Sequence, residues 1–151
     1  MWTPAANANG TINAFTVRAF DGSAASATAI QVPISVAAVN DAPTANNQSV
    51  TTNEEAGLTG TLTGSDVDGQ AITYALVSNP TKGTVTITNT STGAFTYMPS
   101  VDATGADSFT FRTSDGTLTS ATATVSITIN PVNDAPTVTN GSFSVNAGAS
   151  Y

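Results

Sequence analysis

The ten carboxylates are the side chains of this 151-residue chain that offer chemistry, because the chain has no histidine and no cysteine. Asp66 and Asp68 stand at i and i+2 before Gly69, a spacing that lets both carboxylates curl around one hard cation. The alternative interpretation is a solvated turn in which the aspartates accept hydrogen bonds from their own backbone. The spacing alone leaves both interpretations open.

Composition excludes several classes of function. Without histidine or cysteine the chain cannot form a Ser-His-Asp triad, a cysteine nucleophile, a disulfide framework or a Cys/His zinc site. Paired carboxylates can hydrolyse glycosides, but Asp66 and Asp68 lie on a predicted loop tip with no sign of an enclosing cleft. The net charge of −7 argues against nucleic acid, and no apolar run approaches the roughly 18 residues that span a bilayer. We therefore expect a non-catalytic protein with no nucleic acid partner and no membrane insertion.

The elements that must position the acids are β-strands. Residues 83–88 and 123–129 alternate strictly between apolar and polar side chains, which is typical of half-buried strands. Turn residues separate such runs at the spacing of a sandwich. The sequence therefore predicts an all-β fold, a seven-stranded β-sandwich with strands at 48–53, 57–63, 71–78, 83–89, 93–98, 107–113 and 118–130. Its predicted core consists of Val85, Ile87, Phe95, Tyr97, Phe109, Phe111, Val125, Ile127 and Ile129, with Tyr74 in the core or at its rim.

An internal repeat organises the chain. The segment Val39-Asn40-Asp41-Ala42-Pro43 reappears at 132–136, an offset of 93 residues, and segment 15–22 reappears at 109–116, an offset of 94. We interpret this as a tandem repeat of about 93 residues, and the alternative is a gene duplication within a two-domain protein. The predicted division is the C-terminal part of an upstream repeat at 1–39, one complete repeat at 40–132, and the linker and first strand of a downstream repeat at 133–151.

The acids of the complete repeat are predicted to gather at two ends of the sandwich. If the strands alternate in direction, the upstream end receives Asp41, Asp66, Asp68 and Asp115. The downstream end receives Glu54, Glu55, Asp102 and Asp107, beside the exit residues Asn133 and Asp134. Crowded carboxylates repel one another, and a shared Ca²⁺ with six to eight oxygen ligands reverses that effect. We therefore expect calcium to convert each junction between repeats from a hinge into a strut.

Five segments resemble a known family. They are the Val-Asn-Asp-Ala-Pro linkers at 39–43 and 132–136, Asp66-Val67-Asp68-Gly69, Thr96-Tyr97-Met98-Pro99, and the run 105–111 that leads to Ser114-Asp115-Gly116. Together they resemble the bacterial cadherin-like tandem repeats of large RTX-type surface adhesins. The resemblance implies an immunoglobulin/cadherin-like sandwich repeated many times, type I secretion, an extracellular location at the bacterial cell surface, and Ca²⁺ at the junctions.

The resemblance also implies roles for individual acids. Glu54 or Glu55 matches the first-strand glutamate of cadherins, and Asp66 with Asp68 matches the Asp-x-Asp pair. Asp107 matches the acidic segment before a strand, and Asn133-Asp134 matches the linker motif. The flanking fragments depart from the pattern: they carry Asn7 and Asn13 in place of Asp102 and Asp107, and Ala147 and Gly148 in place of Glu54 and Glu55.

The function we expect is a calcium-stiffened extender or spacer module of a secreted or cell-surface bacterial adhesin, supporting cell adhesion, whose partners are neighbouring repeats of the same array. One alternative is a subunit of an extracellular filament, in which identical chains join head to tail by strand exchange. Another is a module whose threonine-rich sheet face binds a glycan or another surface.

Overall fold

The computed structural model describes residues 2–136 and 140–141. Every regular element in this part of the chain is a strand. In chain order the strands are β1 (Gly10–Val17), β2 (Ile30–Val36), β3 (Thr44–Ala45), β4 (Gln48–Asn53), β5 (Leu58–Thr61), β6 (Gly64–Ser65), β7 (Thr73–Ser78), β8 (Gly83–Asn89), β9 (Ala94–Pro99), β10 (Gly105–Ser114) and β11 (Ala123–Asn130). The predicted opening of a downstream repeat at 133–151 is described at 133–136 and 140–141 alone, so Ala147 and Gly148 lie outside the described residues.

Two sheets form the sandwich of residues 40–132. One has four strands in the order β4-β11-β10-β7, and the other has three in the order β5-β9-β8. The short strands β3 and β6 pair beside them, and β1 pairs with β2 as a separate hairpin. All pairs are antiparallel except β4 with β11, which run in the same direction. When seven strands alternate strictly in direction, the first and the last point the same way, as β4 and β11 do.

The core lies between the two sheets and is built by alternating side chains. In β11 every second residue is buried and the intervening ones are partly or fully exposed, and β9 and β10 follow the same pattern. Phe95 from one sheet meets Phe109 from the other with ring centroids 5.3 Å apart in an edge-on arrangement. The fully or nearly fully buried apolar residues are Leu62, Tyr74, Phe95, Tyr97, Phe109, Phe111, Ala123, Val125, Ile127 and Ile129.

The predicted all-β sandwich is confirmed, and its seven strands correspond to the seven principal strands of the repeat. The structure adds two-residue strands β3 and β6 and shortens the last strand, which begins at Ala123 instead of residue 118. Residue 118 lies in a tight turn, in which Asp115 Oδ1 accepts the N–H groups of Thr117 and Leu118, and Thr119 makes only an isolated bridge to Ser114. Val85 and Ile87 are only partly buried, so they pack at the edge of the core.

The β1–β2 hairpin repeats the turn geometry of β10–β11. Asp21 Oδ1 accepts the N–H groups of Ser23 and Ala24, just as the equivalent Asp115 does 94 residues later. An isolated bridge closes each loop at the same offset. The recurrence agrees with the sequence repeat, and the division of the whole chain into repeats stays a prediction.

Candidate metal site

The upstream pole is the end of the sandwich where the linker enters. Three segments meet there: the linker before β3, the loop after β6 and the turn after β10. The residues of the upstream pole are Asn40, Asp41, Asp66, Asp68, Gln70 and Asp115. Their side chains are polar, half of them exposed and half of them partly buried, and they surround the point where residues 36–39 lead into the sandwich.

Hydrogen bonds tie the linker to both neighbouring segments. Asp68 Oδ2 accepts the backbone N–H of Asp41 at 2.8 Å. The side-chain amide of Asn40 donates to Asp115 Oδ2 at 2.8 Å, and its amide oxygen accepts a hydrogen bond from the side chain of Gln70. Asn40 and Asp41 are thereby held by residues that lie 27 to 75 positions later in the chain.

Asp66 organises the loop that carries Asp68. Its Oδ1 accepts the N–H groups of Asp68 at 2.8 Å and Gln70 at 3.4 Å, and Gly69 completes the turn with a φ of +76° that favours glycine. Its Oδ2 is buried and has no hydrogen-bond partner among the described residues. A buried carboxylate oxygen without a partner is costly. The loop therefore has one strong acceptor that is free for a cation.

Asp115 has a stabilised negative charge. The N–H of Leu118, the side-chain amide of Asn40 and the N–H of Thr117 hold the pKa of this carboxyl below its usual value. Asp115 Oδ1 accepts the backbone N–H groups of the turn, and Oδ2 accepts the side-chain amide of Asn40. Asp115 therefore contacts the linker through Asn40.

The four upstream acids are neighbours that do not converge on one point. In the described part of the chain, no three acidic side chains are close enough to hold a metal ion together. Asp41 and Asp68 are linked through a backbone hydrogen bond, and Asp66 and Asp68 share a turn. The predicted set of metal ligands stays a prediction.

At the downstream end, Glu54 holds the exit segment. The buried Glu54 carboxylate accepts the N–H of Val132 at 2.5 Å through Oε1, and its backbone N–H donates to Asn130 at 2.9 Å. Asn133 and Asp134 follow Val132 and are exposed. The structure therefore brings one predicted acid, Glu54, into contact with the exit linker.

Glu55 and Asp102 occupy exposed turns at the downstream end. Both adopt the left-handed backbone conformation, with φ values of 60° and 56°. Such values are uncommon for residues other than glycine and are tolerated by aspartate in tight turns. Among the described residues, no hydrogen bond links the side chain of either residue to Glu54, and their predicted role stays a prediction.

Asp107 lies inside the sandwich, where its carboxylate has four donors. Oδ1 accepts the N–H and hydroxyl of Thr81 at 2.9 and 3.2 Å, and Oδ2 accepts the N–H of Lys82 at 3.0 Å and the Tyr97 hydroxyl at 2.8 Å. Burial by itself would raise the pKa of Asp107, but Thr81, Tyr97 and Lys82 outweigh burial and hold the pKa below its usual value. Burial and the adjacent carboxylate raise the pKa of Tyr97. These contacts show that Asp107 joins the loop before β8 to β9 and β10.

Comparison with known families assigns the sandwich. Residues 40–131 match the bacterial cadherin-like domain, which is more than half of the chain. The chain belongs to this family. The matched cadherin-like domain begins at Asn40 of the linker and ends just after β11, so it contains the whole upstream pole and all of the predicted repeat 40–132 except its last residue.

Individual relatives and solved structures are also similar to the chain. Integrin beta-like proteins B and E of Dictyostelium discoideum are 33% and 35% identical over 111 and 113 residues, and the matches cover 64% and 65% of this chain. This chain matches only 6% of the length of each. A structure of human mucin-like protocadherin EC1-2 has a TM-score of 0.51 at 22% identity, covering 70% of this chain and 62% of that one. The endo-fucoidan hydrolase MfFcnA4 has a TM-score of 0.50 at 22% identity, covering 92% and 21%. At this identity the structures show a shared fold alone.

The donor set of the cadherin-like domain suits a hard cation. All candidate donors at the upstream pole are carboxylate or amide oxygens, which are the ligands that Ca²⁺ takes. Asp66 offers an unpartnered buried oxygen, and Asp68 stands two residues away.

No helix in the described ranges is long and apolar enough to cross a membrane.

Proposed function

We propose that the cadherin-like domain is a non-catalytic extender module of a secreted or surface-attached bacterial adhesin of the RTX type, and that calcium stiffens its junctions with neighbouring repeats. The observation that carries the proposal is the upstream pole. There the linker residues Asn40 and Asp41 are bonded to acid-bearing loops, and Asp66 Oδ2 is buried without a partner.

Calcium would act on this geometry through charge. Asp41, Asp66 and Asp68 place three negative groups around the linker, and their mutual repulsion opposes a fixed linker angle. We expect a cation to bind Asp66 and Asp68, and Asp41 or the Asn40 amide oxygen to be its ligand from the linker. The cation replaces the repulsion with attraction. The linker then becomes part of the metal site, which transmits rigidity from one repeat to the next.

The comparisons support an extracellular, adhesion-related role. The two Dictyostelium relatives carry the name integrin beta-like, and the human structure is a protocadherin. The downstream end supports the spacer interpretation, since Glu54 bonds directly to the segment that precedes Asn133 and Asp134. Both ends of the domain therefore hold the chain that leads to a neighbour.

Thermal unfolding with calcium and with a chelator tests the proposal. Calcium at about 100 times its Kd should raise the Tm by about 10 °C or more. The Asp66→Asn/Asp68→Asn variant should lose this rise because it lacks both turn carboxylates. Asp21→Asn is the control: it removes a carboxylate from the turn of the β1–β2 hairpin, which carries none of the acids of the upstream pole, and should keep the rise. An unchanged Tm on adding calcium, or an equal rise in the double variant, would refute calcium binding at the upstream pole.

A further inference from the structure

Strand β8 forms one edge of the three-stranded sheet, and in the described part of the chain its outer side pairs with no strand. The direction of its backbone groups follows from Lys82, whose carbonyl accepts the N–H of Ser100 on the β9 side at 2.8 Å. Backbone groups point alternately to the two sides along an antiparallel strand. The N–H and C=O groups of Gly83, Val85 and Ile87 therefore point away from β9, toward the free edge.

Two other strand edges of the sandwich are obstructed. Strand β5 lies at the opposite side of the same sheet, and there the side chain of Gln48 donates to the carbonyl of Thr61 at 3.0 Å and accepts the N–H of Thr63 at 3.1 Å. Edge strand β7 has a register shift in its pairing with β10. Covered edges and bulges are devices that prevent pairing with another chain. Strand β8 has no such device over residues 83–87, because its register shift comes after Ile87.

The free edge of β8 is complementary to itself. Residues 83–88 read Gly-Thr-Val-Thr-Ile-Thr and contain neither a charge nor a proline. When two copies of β8 lie antiparallel about a two-fold axis at Val85, Val85 faces its own copy and Gly83 faces Ile87, so the outward backbone groups of both strands meet. Thr84 faces Thr86 on the exposed side of the sheet. Such threonine pairs stabilise neighbouring strands.

We propose that the free edge of β8 binds the same edge of a second copy of this chain, so that two three-stranded sheets become one continuous sheet of six strands. This pairing would form about six backbone hydrogen bonds. Val85 and Ile87 are only partly buried at the margin of the core, and the second copy would cover their open sides. Because the same surface is used by both copies, the contact closes at a dimer.

The dimer is expected to be weak. Only one short strand edge from each copy takes part, and each chain has a net charge of −7 that repels the other. We therefore expect a Kd on the order of 0.1–1 mM, which matches a small contact between two folded proteins. The two chains run in opposite directions in this dimer, because the axis reverses the second copy.

Engineered cysteines test the register in the full chain, which has none of its own. Thr84 and Thr86 would face each other as a closely spaced pair with a Cα separation of about 4.5 Å, which a disulfide can bridge. A mixture of the Thr84→Cys chain and the Thr86→Cys chain should therefore give more disulfide-linked dimer than either chain alone. A mixture of Thr59→Cys and Thr61→Cys, which alter two exposed threonines of edge strand β5, measures random collision.

Sedimentation equilibrium tests the contact without a covalent link. It is run with a chelator present, at chain concentrations up to about 1 mM. Thr84→Lys/Thr86→Lys should raise the Kd of the dimer at least about tenfold, because lysines of the two copies then face each other. Thr84→Lys/Thr86→Glu should keep the Kd at or below the wild-type value, because each lysine then faces a glutamate. Thr59→Lys/Thr61→Lys makes the same change in net charge on β5 and should leave the Kd near the wild-type value.

Several results would overturn the proposal. One is a wild-type chain that stays monomeric at the highest concentration, and another is linked dimer at background level in the Thr84→Cys and Thr86→Cys mixture. Equal Kd values for Thr84→Lys/Thr86→Lys and Thr59→Lys/Thr61→Lys would exclude the β8 edge. Species larger than a dimer would show an open-ended contact in place of the two-fold pair. Each of these outcomes is independent of calcium binding at the upstream pole.

Discussion

Asp66 and Asp107 are carboxylates of the same domain with opposite roles. The Asp107 carboxylate accepts four hydrogen bonds from within the sandwich, and these stabilise its charge. Asp66 leaves one buried oxygen without a partner. From the sequence, both are predicted to be calcium ligands, because spacing and predicted strand direction do not reveal which donors surround a side chain. The motif Asp66-Val67-Asp68-Gly69 predicts the turn, whereas the partners of Asp107 come from Thr81, Lys82 and Tyr97 at distant positions.

Asp107 makes acid stability a test at the level of one residue. Its pKa is lower in the folded chain than the value of 3.8 of a free aspartate. Its stabilising contribution is therefore complete above pH 3.8 and is lost as the pH falls through the lower folded value. Asp107→Asn should cost about 3 kcal/mol at neutral pH, because donors remain unpaired, and should flatten the fall in stability at acid pH.

Urea unfolding at neutral and acid pH measures both effects. Asp134→Asn removes an exposed carboxylate from the exit segment and serves as the control, with little expected change. Equal losses for Asp107→Asn and Asp134→Asn would contradict a structural role for the buried carboxylate.

Strands β5 and β9 approach each other closely where Gly60 lies against Phe95, and the alternation of apolar and polar residues does not predict this contact. The sequence places Gly60 inside a strand, where glycine is usually unfavourable. In the structure a Cβ at this position would lie 2.6 Å from two ring atoms of Phe95, so the missing side chain makes room for the ring. Apolar alternation predicts that Phe95 points inward, but the ring's position under a neighbouring strand depends on how the sheets pack.

Gly60→Ala should therefore destabilise the sandwich by about 1–3 kcal/mol through overpacking against Phe95. Gly57→Ala is the matched control, because the tightest contact of its Cβ would be the flexible end of Met98 at 3.1 Å. Chemical unfolding of the two variants checks the difference. A Gly60→Ala chain as stable as the Gly57→Ala chain would show that the ring of Phe95 can move aside.

Over the whole molecule, most of the acidic side chains lie away from the sheet faces. The outward residues of β8 and β9 include Thr84, Thr86 and Thr96, all exposed and uncharged, while the acids of the domain lie mainly in the connections between strands. Alternating strand direction predicts this arrangement from the sequence. The exact approach of the upstream acids is not predictable in the same way, since it depends on the side-chain bonds of Asn40. The alternative of a glycan-binding threonine face stays a prediction.

Salt should therefore stabilise the calcium-free chain. Raising NaCl to about 1 M shortens the screening length to about 3 Å and weakens repulsion at the poles. The Tm of the wild type should rise with salt, and that of Asp66→Asn/Asp68→Asn should rise less, because two of the repelling groups are gone. Asp21→Asn, which keeps all the pole acids, should behave like the wild type. Identical salt responses in all three chains would show that the pole acids do not repel measurably.

The parallel pairing of β4 with β11 has a mechanical consequence. The chain enters the domain ahead of β4 and leaves it after β11, and these strands lie side by side over six residue pairs from Gln48 to Asn53. Tension along the polypeptide pulls β4 backward and β11 forward, so the strands must slide past each other. In that shear geometry the hydrogen bonds between them are loaded together instead of one after another. A domain held in this way resists extension under tension, which is a property that the proposed spacer role needs.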